Sequence, residues 1–274
     1  MRTFTRFALL FAAVTSVYAQ WVNYPTPGIP RTRDGQPNLT GRVPRTRDGK
    51  PDLSGLWQIQ PSPWAEIQPI VGNMNDVFAP GDDLMDFSKY GLNILADFKR
   101  GEAPIRPEAA AAMRQIKRPG SPCLPGSISF TNLIPATIKW IQTPGLIAIL
   151  QEAGFNFRQV YLDGRQVPAD AQPLWLGYSV GKWEGDTLVV DSRGFNDKTP
   201  LDAMGHPHSE ALHLTERYHR RDFGHMDVEL TVDDPKVYTR PFTIHYTELF
   251  QPDTDILEAV CEENERDVKH MAKQ

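Results

Sequence analysis

The chain has 274 residues with 34 acidic and 29 basic side chains, for a net charge of −5. That balance excludes the basic footprint of a nucleic-acid binder and argues against adhesion to anionic membranes. The length suits one large domain, or one domain with an insertion.

The chain opens MRTFTRFALLFAAVTSVYA. Arg2 and Arg6 precede an apolar run from Phe7 to Val17, and Val17-Tyr18-Ala19 has the small-x-small pattern read by signal peptidase. Residues 1–19 are predicted to be a signal peptide, so the protein is expected to be secreted or periplasmic. The apolar run is too short for a comfortable membrane span, and no later stretch is long and apolar enough. Two cysteines remain, Cys123 and Cys261. In an oxidising compartment they are expected to pair, the alternative being two buried free thiols.

Residues 20–53 form a Pro-rich arm. IPRTRDGQPNLTG from Ile29 returns as VPRTRDGKPDLSG from Val43, a period of 14 residues. Each Asp-Gly supplies a turn, and the prolines hold the flanking chain extended. The arm is expected to lie on the domain surface, or alternatively to contact a partner.

Residues 54–274 are predicted to be a β domain with a helical insert at about 82–118. In GDDLMDFSKYGLNILADFKRG, Leu84, Phe87, Leu92, Leu95 and Phe98 fall near one helical face. Asp82 and Asp83 sit in the first turn and Lys99 and Arg100 in the last, which suits the helix dipole. Pro107 opens a second short helix that Pro119-Gly120 ends. From Thr137 onward strands are predicted over 137–142, 145–151, 156–162, 175–183, 186–191, 211–220, 225–232, 242–249 and 255–261, separated by Gly, Pro and Asp turn signals. Such an antiparallel meander is predicted to close into an up-and-down barrel, because closure removes its edges. A β-sandwich is the alternative.

Side chains alternate across a strand. Leu212, Leu214, Glu216 and Tyr218 share one face. So do Met226, Val228, Leu230 and Val232 on the next strand, and Phe242, Ile244, Tyr246 and Glu248 on the one after. These apolar phases are predicted to face inward, carrying Glu216 and Glu248 with them. A buried carboxylate is costly unless it is paired, hydrogen-bonded or protonated. Two in one cavity push one pKa up, which makes a general acid at neutral pH. The alternative is pairing with Arg158 or Arg240.

GHPHSEALH, from Gly205, packs three histidines into nine residues. Extending the inward phase backwards puts His206, His208 and Glu210 on one side and His213 on the other. His206, His208 and Glu210 are candidate acid–base groups, or ligands for Zn or Fe(II). The preceding polar loop, Ser192 to Gly205, adds Asn196, Asp197 and Asp202 at the same mouth. Tyr218, Tyr246, Trp175, Asn196 and Asp197 are candidate ligand contacts. No Gly-rich phosphate loop, Cys-x-x-Cys pair or Gly-x-Ser-x-Gly elbow appears.

The Gly-x-Trp of Ser54-Gly55-Leu56-Trp57 resembles the opening of lipocalin-type barrels, where the Trp plugs the closed end. That resemblance implies a barrel holding a small apolar ligand. The stretches PRTRDGKPDLSGLW, YSVGKWEGDTLVVDSRGFND, GHPHSEALHLTERYHRRDFGHMD and DDPKVYTRPFT resemble a large family of uncharacterised secreted bacterial proteins. This second resemblance implies export and a common β fold, and brings no catalytic residues. The expected function is an exported barrel that handles a small organic molecule, as a hydrolase, dehydratase or isomerase with a His/Glu site at its mouth. A non-catalytic carrier and an envelope structural or interaction protein are the alternatives.

Overall fold

In the computed structural model nine strands close into a barrel. The structure describes residues 25–72, 84–99, 101–113, 125–152, 156–168 and 170–256. The strands are β1 (Gly55–Ile59), β2 (Ile138–Gln142), β3 (Leu146–Gln151), β4 (Phe157–Tyr161), β5 (Tyr178–Glu184), β6 (Thr187–Arg193), β7 (His213–Arg220), β8 (His225–Asp233) and β9 (Phe242–Phe250). Each pairs with the next, and β1 pairs with β9. The β-sandwich alternative is thereby excluded.

One contact departs from the up-and-down pattern: β4 and β5 run parallel. Strand directions around a closed ring must return to their start, so nine strands need an odd number of parallel contacts. Residues 162–177 meet that need by carrying the chain back to the end of the barrel from which β4 began.

Eight of the strands expected from Thr137 onward appear as β2–β9, with ends shifted by a few residues. The expected strand at 255–261 does not: residues 255 and 256 are not in a strand, and the rest lie outside the described residues. β1 closes the barrel against β9 in its place.

Among the described residues the four helices lie between β1 and β2: α1 (Trp64–Val71), α2 (Lys89–Leu92), α3 (Pro107–Met113) and α4 (Ile128–Leu133). The long helix expected over 82–100 is reduced, within its described part, to α2 and a run of turns. Two contacts account for this, one local and one from a distant loop. Ser88 caps α2 by accepting the Tyr90 N–H (3.2 Å), and the buried Asp202 carboxylate draws off the Ile94 N–H (2.6 Å). The signal segment, Cys123 and Cys261 lie outside the described residues. Among the described residues no helix is long and apolar enough to cross a membrane.

Burial alternates along the strands as the apolar phases require: every second residue from Leu214, Met226 and Phe242 is buried. Each large side chain so buried contributes about 1.5–3 kcal/mol. At one end of the barrel Gly55 (φ 132°) lies so close to Phe250 that a Cβ there would come within 2.3 Å of its ring. Trp57 meets Phe250 edge-on at 5.3 Å and donates its indole N–H to the Leu53 carbonyl (3.0 Å). The Arg220 guanidinium stacks 4.8 Å from the Trp57 ring and donates to the Phe223 and Asp52 carbonyls. The arm covers this same end. Its carbonyls at Leu39 and Gly41 accept from Gly224 (2.7 Å) and Phe223 (2.9 Å) in the β7–β8 turn.

The opposite end, the mouth, is covered by the β1–β2 segment and the β6–β7 loop. Ala203 and Met204 donate to the Gly91 and Leu92 carbonyls (2.9 and 3.0 Å), which ties the loop to α2.

Candidate functional site

Apart from Arg220 at the arm-covered end and Glu248, the polar inward-facing positions of β4 to β9 form one connected cluster. Arg158 of β4 reaches across the barrel and grips Glu216 of β7 with both terminal nitrogens (Nη1 to Oε1, 2.9 Å; Nη2 to Oε2). It also donates to Ser179 of β5 (3.0 Å) and Ser192 of β6 (2.9 Å). Glu216 accepts further from the Tyr218 hydroxyl (2.6 Å) and from Asn132 of α4 (3.4 Å). The glutamate is wholly buried and fully satisfied. Gln151 of β3 joins from the side, donating to Thr131 (2.7 Å) of α4. Trp140 lies edge-on to Tyr218 at 4.8 Å.

Glu248 of β9 is different. It is wholly buried, and neither carboxyl oxygen has a hydrogen-bond partner among the described residues. Burial, and then the nearby Glu216 charge, raise its pKa from 4.5 to about 8. It is therefore protonated at neutral pH, while Arg158 keeps its charge opposite Glu216. The Tyr246 hydroxyl, Trp140 Nε1 and Gln151 Oε1 are also buried and unpartnered among the described residues. Buried polar groups nearly always find partners, and each exception costs about 1–3 kcal/mol. The free set comprises one obligate donor (Trp140), one obligate acceptor (Gln151) and two groups that both donate and accept (Tyr246 and protonated Glu248).

The mouth holds the histidines. His206 and His208 are both buried. Glu210, expected beside them, is exposed. Ser209 is the reason. Its side chain accepts the Ala211 N–H (3.0 Å) and its carbonyl the Leu212 N–H (3.1 Å), so the chain turns before β7 begins. Asp234 fixes the turn by accepting from Ser209 N (2.6 Å) and Oγ (2.9 Å). His213 faces outward, beside Asp191.

His208 uses both ring nitrogens locally, Nε2 with Thr199 (3.2 Å) and Nδ1 with the Ser209 carbonyl (3.2 Å). Its burial lowers its pKa. His206 Nδ1 is bound to Asp202. The residues proposed as Zn or Fe ligands, His206, His208 and Glu210, therefore do not form a ligand set. Among the described residues no three His, Cys, Asp or Glu side chains group to hold a metal.

Of the other expected contacts, Tyr218 and Tyr246 stand in the interior cluster. Trp175, Asn196 and Asp197 make local contacts instead. Lys198 lies 5.8 Å over the Trp175 ring, Asn196 accepts the Lys198 N–H (3.0 Å), and Asp197 is exposed. Sequence reading missed Trp140, Gln151 and Asn132 as members of the cluster. The first two sit on the buried phases of β2 and β3 and could have been found by the alternation rule. Asn132 sits on a helix that has no periodic signal. No protein-family model, curated protein or solved structure matches the chain.

Proposed function

We propose that the protein is exported and binds a small, neutral organic molecule inside its barrel. The signal-like opening, MRTFTRFALLFAAVTSVYA, supports export. The observation that carries the binding reading is Glu248: a wholly buried carboxyl whose two oxygens have no partner among the described residues, near the Tyr246 hydroxyl, with Trp140 Nε1 and Gln151 Oε1 as further unpartnered buried polar atoms. A molecule with both donor and acceptor groups would relieve the cost of leaving them unpaired. The charges of Arg158 and Glu216 cancel, and protonated Glu248 adds none, so the interior favours a neutral ligand over an ionic one. The aromatic walls of Trp140, Tyr218 and Tyr246 suit a flat or ring-shaped one.

A second reading, an acid–base enzyme, is favoured by the Glu248 pKa of about 8 beside an ionised Glu216. That pairing resembles the division of labour between a proton donor and a charge-stabilising carboxylate. It fits isomerisation, dehydration or hydrolysis.

A library of neutral ring compounds screened by thermal shift tests the proposal. Binders should raise the Tm of the wild type and lose that effect in Glu248→Leu. Binders indifferent to Glu248→Leu, or no binders at all, would overturn it. Glu248→Gln separates carrier from enzyme, because the amide still donates and accepts but has no proton to transfer. A carrier keeps its affinity in this variant, whereas an enzyme keeps affinity and loses turnover.

A further inference from the structure

We infer that the barrel mouth carries a second site, in which His206, oriented by Asp202, acts as a general base on esters of small apolar acids lying in the adjoining groove. Asp202 is wholly buried and held from two sides. Its Oδ1 accepts the His206 backbone N–H (3.1 Å), and its Oδ2 accepts the Ile94 N–H (2.6 Å) and meets His206 Nδ1. The chain returns on itself to allow this. Gly205 (φ 84°) closes a turn onto the Asp202 carbonyl (3.1 Å), and Leu201 donates to the His206 carbonyl (2.8 Å). A carboxylate at Nδ1 places the proton there and leaves the Nε2 lone pair free.

That free nitrogen has no hydrogen-bond partner among the described residues, and His206 lines a groove of about 350 Å³. Leu95, Phe98, Ile105 and Met204 give the groove apolar walls, and Asn93 and Lys99 stand at its edge. The volume suits a small ligand. A purely structural histidine would spend both nitrogens on neighbours, as His208 does. His206 spends one, on a fixed carboxylate, and lines an apolar groove.

In this reaction the nucleophile is water. His206 Nε2 takes a proton from water as its oxygen bonds to the ester carbonyl carbon, and the carbonyl becomes an oxyanion. Lys99 and Asn93 also line the groove and would meet that charge with an ammonium and a side-chain N–H₂; Asn93 Oδ1 accepts the Leu95 N–H (2.9 Å). Collapse breaks the bond to the alcohol oxygen, which takes the proton back from the imidazolium. The products are a carboxylic acid and an alcohol, and the histidine is restored with no oxidant or reductant needed. Asp202 stabilises the imidazolium in between.

The test is hydrolysis of p-nitrophenyl butyrate by the mature full-length protein, followed at 400 nm (about the absorbance of the released phenolate). The wild type should exceed the buffer rate, and His206→Gln should lose about 100-fold or more of the excess. His219→Gln removes an exposed imidazole on the outer wall and should change nothing. Asp202→Asn should lower kcat with little change in KM. Long-range ¹H–¹⁵N correlation spectra of the wild type provide a second, mutation-free readout, in which His206 should be the Nδ1–H tautomer. A wild type no faster than buffer, a folded His206→Gln variant with the full rate, or an Nε2–H tautomer would each overturn the inference.

Discussion

Glu248 makes the protein's stability depend on pH in an unusual direction. Its folded pKa is about 8 against 4.5 for the free side chain, so between those values the folded state holds one proton more than the unfolded state. Stability from this group is complete below pH 4.5 and is lost as pH rises to about 8. At about 1.4 kcal/mol per pKa unit the loss amounts to several kcal/mol. Urea denaturation at pH 5 and pH 8 should show it, and Glu248→Gln should flatten the difference. Glu216, by contrast, is held by a partner, and its cost appears when that partner is lost. Arg158→Met strands a buried carboxylate and should cost about 3–5 kcal/mol, most of it recovered when Glu216→Leu is added. Both glutamates were legible from alternation alone, since a strand has only two faces and the apolar residues declare which is inside; Arg158 was legible only as one of two alternative partners. The orphaned state of Glu248 was not legible, because it depends on which side chains the other strands bring near it.

At the scale of elements, the 14-residue repeat becomes two copies of one small hairpin. Arg31 pairs with Pro37 and Arg45 with Pro51 across each Asp-Gly turn. In both, the first arginine donates to its own turn carbonyl, Gly35 (3.0 Å) or Gly49 (2.8 Å). Each then reaches an acid on the barrel: Arg31 meets Asp253 after β9, and Arg45 meets Asp186 in the β5–β6 turn (2.6 Å). These pairs are solvated, so Arg31→Ala and Arg45→Ala should each cost less than about 1 kcal/mol, and their effects should add. Gly55→Ala should cost more, about 1–3 kcal/mol, because its Cβ would press on Phe250 and its φ of 132° disfavours any side chain. Thermal or urea unfolding of the three variants gives the comparison. The strands were legible because their period of two is uninterrupted. The His206–Glu210 segment and the long helix over 82–100 were misread for a shared reason: a side chain from elsewhere, Asp234 or Asp202, captures backbone groups that the local pattern assigned to a strand or a helix.

For the molecule as a whole, the one parallel contact is the weak place in the ring. β4 and β5 are paired at two positions, Val160 with Ser179 and Tyr161 with Val180, whereas β7 and β8 are paired along their whole length from His213 to Arg220. No tight hairpin joins β4 to β5, so nothing local holds that seam closed. Arg158 does so from inside: one guanidinium on β4 binds Ser179 on β5, Ser192 on β6 and Glu216 on β7. The buried ion pair is thus a staple across the weakest join, and the seam passes beside the interior cluster. Native-state hydrogen exchange should find the β4 and β5 amides opening at lower free energy than those of β7 and β8. Arg158→Met should lower protection at β4–β5 well beyond its effect on β7–β8. Uniform loss of protection around the ring would mean that the barrel opens as one unit and that Arg158 secures no particular seam. Selective loss would mark β4–β5 as the gate through which a molecule reaches Glu248 while the mouth stays covered.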